Sequence, residues 1–363
     1  MNVTTLRRST VPVAAALALS LSLAACGSSD NSENSSTSGL SGAVTGGGSS
    51  AQKQAQEAWT TGFNATNPDA KITYNSVGSG TGKTNFTSGA YVFAGSDSAM
   101  DEATLAAAKS QCGADALEFP VFISPIDVAY NLPGVSDLQL SAEVVAKIFA
   151  GQITTWDDAA IKADNPDATL PSTKINVVHR NDGSGTTNNF TDYLNKAAPS
   201  IWTTAASDEW PTKSGANGTG TSGVVTTAEQ TDGSITYADD SGVQGSNLQV
   251  AKIKVGDSYV APSADGAAAA LAASELVSGM PASIMQYSLN RTSTDSATYP
   301  IFMASYAIAC PTYSDANTAA IVKGYLSYII SEEGQKAAAA NAYSAPLPAD
   351  IAAQAKALVD QIS

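Results

Sequence analysis

The chain has 363 residues, of which 43% are apolar and 14% are charged, and its formal net charge is −15. This length and apolar content suffice for two ordinary domains, each with its own core. The acidic balance argues against nucleic acid and anionic membrane surfaces as partners, because those surfaces bind clustered Lys and Arg. Any anion site must therefore depend on one or two basic side chains and on backbone N–H groups.

The first 25 residues have the pattern of a secretory signal peptide: two arginines, an apolar stretch, then small residues that lead to Cys26. The segment LAAC at 23–26 resembles a bacterial lipobox, which predicts cleavage before Cys26 and lipidation of its thiol. Residues 26–39 then form a flexible tether rich in Ser and Asn, and the lipid is the only expected membrane attachment. The alternative is an ordinary signal peptide or a short transmembrane anchor.

Beyond the tether, short apolar runs alternate with segments of helical period, which predicts an α/β protein. The predicted strands are 40–45, 71–77, 91–94, 119–131, 175–180, 234–238 and 301–309. The predicted helices begin near 51, after 82 and after 187, and cover 138–149, 267–274, 318–330 and 333–340. Trp59 and Phe63 fall on one face of the first helix, where core packing is expected.

The pattern of a strand, a Gly/Ser turn and a helix start occurs three times, at 46–50, 78–82 and 182–186. A helix start presents N–H groups without intrahelical partners and the positive end of the helix dipole. Glycines let an anion approach the backbone, and Ser or Thr adds hydroxyl donors. One such turn is usually only a helix cap, but three in one exported chain predict a shared anion site.

Two cysteines remain after lipidation of Cys26, namely Cys112 and Cys310. Export removes the chain from the reducing cytosol, so these two thiols are a possible disulfide. Sequence alone does not show that they lie close together.

Four segments carry a resemblance to a known family: VVHRNDGSGTTNNFTDYL at 177–194, TGGGSSAQKQAQEAW at 45–59, YNSVGSGTGK at 74–83 and FAGSDSAM at 93–100. In their order and close to their spacing, they are similar to the ligand-binding segments of periplasmic phosphate-binding proteins. The resemblance implies a type II periplasmic-binding-protein fold, in which two α/β lobes close around a ligand in the cleft. The expected lobes are 40–131 with 300–363 and 132–299, and the hinge strands pass near Asn131 and Tyr299.

The resemblance also implies a function. A monomeric lipoprotein outside the membrane would bind inorganic phosphate with high affinity and deliver it to the permease subunits of an ABC importer. It would need no cofactor and would perform no chemistry on its ligand.

The implied phosphate ligands come from both lobes. Arg180 would present its guanidinium fork to two phosphate oxygens, and Asp182 would hold that fork in place. Ala51 would donate its backbone N–H, although family members often have an aromatic residue there. The remaining donors are the hydroxyl and backbone groups of Ser50, Ser79, Ser184, Gly185 and Thr186.

Asp97 would decide which anion is accepted. Phosphate near neutral pH carries at least one P–OH, whereas sulfate carries none. An ionised Asp97 accepts that proton in a charge-assisted hydrogen bond, but it would face sulfate as one bare anion against another. The alternative role of Asp97, as a capping residue in the turn 95–98, is compatible with this one.

Two other functions remain open from the sequence. The first is a serine-type phosphoester hydrolase, suggested by the sequence Gly183-Ser184-Gly185 near His179. This sequence lacks the flanking pattern of a nucleophile elbow. His179 is the only histidine and, as the strand neighbour of Arg180, should face the opposite side, which favours a packing role. No metal-ligand spacing is present. The second alternative is a binding protein of the same fold for another oxyanion.

Overall fold

The computed structural model describes residues 39–212 and 214–363, so the predicted signal peptide and Cys26 lie outside the described residues. Residues from Gly39 to Ser363 form one compact unit. Across those described ranges, none of the helices combines the length and the apolar character that a membrane span requires.

Helices and strands alternate along most of the described chain. The helices are α1 (Lys53–Thr66), α2 (Ser79–Thr87), α3 (Glu102–Cys112), α4 (Ala142–Phe149), α5 (Ala159–Asp164), α6 (Gly185–Ala197), α7 (Gly220–Glu229), α8 (Asp240–Val243), α9 (Ala264–Ala272), α10 (Ala316–Ile330), α11 (Glu332–Ala342) and α12 (Ala349–Val359). The strands are β1 (Gly42–Gly48), β2 (Ala70–Ser76), β3 (Phe93–Ser96), β4 (Leu117–Asn131), β5 (Gln139–Leu140), β6 (Asn176–Arg180), β7 (Ala216–Gly218), β8 (Ser234–Asp239), β9 (Gln249–Val250), β10 (Lys252–Val255), β11 (Ser258–Val260), β12 (Glu275–Leu276), β13 (Tyr287–Ser288) and β14 (Phe302–Ala309).

The main sheet has the order β2-β1-β3-β14-β4-β8-β6-β7, with β9 paired to β4. Strands β1, β2 and β3 run parallel at one end, and β6, β7 and β8 run parallel at the other. Parallel strands place their carboxyl ends, and the helix starts that follow, at a common edge. The topology thus gathers the turns after β1 and β2 in one group and those after β6 and β7 in another.

Strand β4 connects the two ends of the sheet. Its first part pairs with β14 as far as Pro125, and from Ile126 onward it pairs with β8. All but the last of its 15 residues are buried, which explains its long and nearly continuous apolar run. The point at which β4 changes partner lies before Asn131, the residue near which one hinge strand was predicted from the sequence.

The predicted α/β alternation is confirmed, and the seven predicted strands are all present with shifted ends. The prediction of one helix over 138–149 is wrong in its first part, because Gln139 and Leu140 form β5 beside β10. The side chain of Asn165 accepts a hydrogen bond from Gln139 N at 2.8 Å and donates to Gln139 O at 2.7 Å. These long-range bonds satisfy the backbone N–H and C=O of Gln139 in an extended conformation, so α4 begins only after Ser141.

Core packing accounts for the aromatic residues of α1. Trp59 and Phe63 are both buried, and the indole of Trp59 donates to Gly334 O at 2.8 Å. Trp59 also meets Phe122 of β4 edge to face. On another side of the fold, Cys112 at the end of α3 is joined to Cys310 after β14 by a disulfide bond.

Candidate anion-binding site

Arg180 stands at the end of β6 and is only 2% exposed. Its Nε donates to Asp182 Oδ1 at 2.7 Å and its Nη2 donates to Asp182 Oδ2 at 2.5 Å, which is the two-point fork expected between these side chains. Burial by itself would raise the pKa of Asp182, but the hydrogen bonds and charge of Arg180 hold that pKa below its ordinary value. Asp182 is therefore an ionised group that fixes the guanidinium in one orientation.

The turn after Arg180 leads into α6. Ser184 is the N-cap of this helix, because its Oγ accepts from Thr187 N at 3.1 Å. Gly185 and Thr186 follow as the first helical residues, and their N–H groups have no carbonyl to bond within the helix. A Cβ on Gly185 would lie 2.5 Å from Ser98 N, so only glycine allows the start of α6 to approach the segment after β3 this closely.

Asp97 lies in that segment after β3 and is 3% exposed. Its Oδ1 accepts from Ser305 Oγ at 2.6 Å, and its Oδ2 accepts from Thr186 Oγ1 at 3.2 Å. Burial raises the pKa of Asp97, whereas hydroxyl hydrogen bonds, first that of Ser305, and the charge of Arg180 act in the opposite direction. The carboxyl group of Asp97 therefore faces the start of α6.

Ser79 is the first residue of α2, and its Oγ accepts from Asp97 N at 3.1 Å. Ser50 lies in the turn before α1, and its Oγ accepts from Thr221 N at 3.0 Å. Ala51 N donates to Ser49 Oγ at 3.1 Å. The structure thus links the turns after β2, β3 and β6 into a cluster through Asp97, and it joins Ser50 to Asp182 through residues 220–221. The N–H of Ala51 bonds only within its own turn.

A fourth helix start, which was not predicted from the sequence, belongs to this cluster. Gly220 N, at the start of α7, donates to Asp182 Oδ1 at 3.0 Å, and Thr221 binds Ser50 as described above. The signal was present, since NGTGTSG at 217–223 repeats the Gly/Ser turn after a strand and before a helix. The strand before this turn is hard to recognise, because β7 has only three residues and no apolar run.

Four polar residues join the segments that flank the cluster. Asn189 of α6 donates to Asp97 O at 2.6 Å. Lys83 of α2 and Asp208 form an ion pair of 3.0 Å, in which the side chains are 12% and 20% exposed. Ser98 Oγ also donates to Asp208 Oδ2, at 3.1 Å. Three of them lie inside the motif segments quoted above but had no predicted role, because their partners lie far away in the chain.

His179 is buried, as a packing role requires. Its ring stacks on Trp210, with the ring centroids 5.3 Å apart, and its Nδ1 lies 2.8 Å from Arg180 O. Neither contact places the imidazole beside Ser184, which caps α6. Among residues 39–212 and 214–363, no group of three or more His, Cys, Asp or Glu has the arrangement of a metal site.

Comparison with known proteins agrees with this architecture. Residues 32–333 match the family model described as a PBP superfamily domain. The chain is 35% identical to the phosphate-binding protein PstS 2 of Mycobacterium tuberculosis (strain ATCC 25618 / H37Rv), over 98% of this chain and 99% of the relative. It is 34% identical to the phosphate-binding protein PstS3 of Mycobacterium bovis (strain BCG / Pasteur 1173P2), over 94% and 95%.

Among solved structures, a high-affinity periplasmic phosphate-binding protein with bound phosphate (PfluDING) superposes with a TM-score of 0.70. The match covers 87% of this chain and 93% of that one at 22% sequence identity, and it supports the fold alone. It confirms the two-lobed periplasmic-binding-protein fold implied by the sequence motifs. Given the family model and the identity to its relatives over nearly the whole length, the chain belongs to the PstS phosphate-binding proteins of the PBP superfamily.

Proposed function

We propose that this protein binds inorganic phosphate outside the cell membrane and delivers it to an ABC importer. The observation that carries the proposal is a buried carboxyl group, Asp97, set against the donor-rich start of α6 in the same cluster as Arg180. A site for a fully deprotonated anion has no use for such a carboxyl group. Membership of the PstS family supports the same ligand.

The proposed phosphate contacts are those that the motifs predict. Arg180 donates from its guanidinium group while Asp182 orients it. Asp97 accepts the ligand's P–OH. The other donors are Ser50, Ala51, Ser79, Ser184, Gly185 and Thr186, which act through hydroxyl or backbone N–H groups.

Selectivity against sulfate follows from proton counting. With sulfate, the carboxylate of Asp97 and a sulfate oxygen would meet without a proton between them in a site from which water is excluded. Leaving a buried polar group unpaired in this way supports discrimination on the order of 10⁴-fold. Arsenate with a proton satisfies every contact, so the site should accept it.

Closure of two lobes around the ligand is part of the proposal. The lobes are 40–131 with 300–363 and 132–299, and the partner change of β4 between Pro125 and Ile126 favours a hinge slightly earlier than Asn131. The closed form is the one that the permease subunits would recognise. We further propose that the monomer is exported by its signal peptide and anchored through a lipid on Cys26.

Calorimetric titration of the purified protein with phosphate and, separately, with sulfate tests the function. We expect tight binding of phosphate and binding of sulfate that is weaker by on the order of 10⁴-fold. Arg180→Ala should abolish phosphate binding, and Asp97→Asn should reduce the preference over sulfate. Equal affinity for both anions would contradict the role of Asp97, and the absence of phosphate binding would contradict the function itself.

The same preparation distinguishes a carrier from a hydrolase. The relatives are named as binding proteins. We expect no turnover of a chromogenic phosphoester by the wild-type protein. Turnover that is lost in Ser184→Ala would instead support the serine-type hydrolase.

A further inference from the structure

A series of buried hydrogen bonds leads away from Asp97 into the core below α1. Ser305 Oγ donates to Asp97 Oδ1 at 2.6 Å and accepts from Gln52 Nε2 at 2.7 Å. Gln52 Oε1 accepts from Gln56 Nε2 at 2.8 Å, and Gln56 Oε1 accepts from Tyr325 Oη at 2.8 Å. We call this series the donor chain: Tyr325, Gln56, Gln52 and Ser305, ending at Asp97.

The direction of the donor chain is set by one backbone carbonyl. Gln52 Nε2 also donates to Tyr306 O at 3.2 Å, and a carbonyl oxygen can only accept. The amide nitrogen of Gln52 must therefore lie on this side, next to Ser305 as well. Since the Ser305 hydroxyl already accepts from Gln52, its own proton remains available for Asp97. Its other acceptor, Ser96 O, is more distant, at 3.4 Å.

The members of the donor chain are sealed from solvent. Gln52, Ser305 and Tyr325 are 0% exposed, and Gln56 and Asp97 are each 3% exposed. In such an environment hydrogen bonds polarise one another, and a chain whose donors all point the same way strengthens the last bond. The final acceptor is a carboxyl group whose burial would otherwise favour its neutral form.

The two oxygens of Asp97 consequently have different partners. Oδ1 is held by the donor chain, and Oδ2 faces Thr186 at the start of α6. A proton on Oδ1 would compete with the Ser305 hydroxyl. The arrangement therefore leaves Oδ2 as an acceptor toward the cluster of helix starts.

We propose that the donor chain, through Ser305 and Gln52, makes the site selective for an anion that brings its own proton, because it holds Asp97 as a hydrogen-bond acceptor. This inference rests on the proposed function and adds two positioning residues to it. Ser305 and Gln52 touch Asp97 directly or through one neighbour. They are not among the proposed ligand contacts. Consistent with the geometry, the Ser305 hydrogen bond is the largest influence that opposes the burial-driven rise in the pKa of Asp97.

Loss of the donor chain should affect the two anions in opposite directions. Without it, Asp97 takes up a proton more readily and turns from an acceptor into a donor. A neutral Asp97 accepts the phosphate P–OH more weakly, because the bond loses its charge assistance, and its own O–H can donate to an oxygen of sulfate. The ratio of phosphate affinity to sulfate affinity therefore reports the state of Asp97, whereas a general loosening of the fold weakens both anions together.

The test uses Ser305→Ala and Gln52→Met, each with a matched control. Ser124→Ala removes a hydroxyl that donates to the buried carboxyl group of Asp239 at 2.5 Å on a neighbouring strand. Gln335→Met removes a buried glutamine that hydrogen-bonds three backbone groups outside the donor chain. Ser305→Thr keeps the hydroxyl as a conservative rescue. All variants are checked for wild-type circular dichroism before titration.

We expect the phosphate-to-sulfate affinity ratio to fall about tenfold or more in Ser305→Ala and Gln52→Met, as for loss of a hydrogen bond to a charged group. The acidic limb of phosphate binding should also shift to higher pH. The controls and Ser305→Thr should keep the wild-type ratio. An unchanged ratio in both Ser305→Ala and Gln52→Met would overturn the inference while leaving the proposed function intact, provided that the wild-type protein binds phosphate.

A measurement on the wild-type chain keeps the inference testable if the core variants do not fold. The infrared difference between wild type and Asp97→Asn isolates the carboxyl band of Asp97 at pH 7. A carboxylate band supports the donor chain as proposed. A neutral-acid band at that pH would refute it.

Discussion

Replacement of Lys83 by Met tests whether the ion pair with Asp208 stabilises the ligand-bound form. The pair joins α2 to the segment that holds Ser184, since Ser184 N donates to Asp208 O at 2.9 Å. It therefore links the two sides of the proposed cleft, and we expect it to break when the lobes separate. Tight ligand binding should depend on it.

The magnitude follows from burial. The side chains of Lys83 and Asp208 are 12% and 20% exposed, and their charged atoms are 3.0 Å apart. Fully exposed ion pairs contribute about 0.2–1 kcal/mol, and truncating one partner of a buried pair costs about 3–5 kcal/mol. For this intermediate case we expect about 1–2 kcal/mol, which corresponds to a roughly 5- to 30-fold loss of phosphate affinity.

Stopped-flow fluorescence and calorimetry measure this effect. The fluorescence of Trp210 should report binding, because its ring stacks on His179, the chain neighbour of Arg180. The loss should appear mainly as faster phosphate dissociation, and a double-mutant cycle with Asp208→Asn should show coupling. As a control, Lys109→Met removes a pair of similar length, 2.9 Å, whose side chains are 61% and 45% exposed. Equal effects of Lys83→Met and Lys109→Met, or no coupling in the cycle, would refute the reasoning.

Three further perturbations have defined outcomes. Gly185→Ala should weaken phosphate binding by about 100-fold or more in calorimetry, because its Cβ would lie 2.5 Å from Ser98 N on the other side of the proposed cleft. The unfolding midpoint should change little, since separation of the lobes relieves this clash. Near-wild-type affinity would contradict the close approach. Cys112→Ser with Cys310→Ser should lower the free energy of unfolding in urea by about 2–5 kcal/mol, because their bond spans 198 residues of chain; an unchanged value would argue against the bond. Burial raises the pKa of Asp239 to about 8, so the folded protein keeps a proton that the unfolded chain loses near pH 4. The free energy of unfolding should therefore decline as the pH rises from about 4 to about 8. Asp239→Asn should flatten that decline in thermal melts, and an unaltered pH profile would exclude Asp239 as its source.

Local sequence pattern was enough to predict the elements that show a clear hydrophobic periodicity or clear capping and turn residues. β4 was recognisable because short runs of apolar residues, many of them β-branched or aromatic and interrupted only by single polar residues, predict a strand buried on both faces. The start of α6 was recognisable because Ser184 is a good cap that follows glycine. In both cases the determining residues are neighbours in the chain.

Elements whose local signals are weak or whose partners are distant in the chain were not predicted. Helix α3 was not predicted, although Asp101 caps it and Gly113 ends it in the left-handed region, because its alanines form no apolar stripe. Helix α12, which follows Pro348, was not predicted either. The strand β5 depends on Asn165, so no window around residue 140 could reveal it.

The same limit applies to the candidate site. Arg180, Asp182 and Asp97 carry motifs that can be recognised in the sequence. Ser305 does not, although a lone serine inside the apolar run of β14 was a hint that something polar lies opposite. Its partner Gln52 is 253 residues away in the chain, and only the folded sheet brings the two together.

The way in which β4 serves both ends of the sheet has a consequence for dissecting the protein. A fragment cut after Asn131 would keep β4 but lose both β14 and β8, and the whole strand would become an unpaired edge. Such an edge offers a template for association with other chains. Neither half should therefore be obtainable as an autonomous soluble piece. Chemical denaturation of the intact chain should proceed as a single cooperative transition, so a destabilising substitution at one end of the sheet should shift the unfolding midpoint of the whole protein.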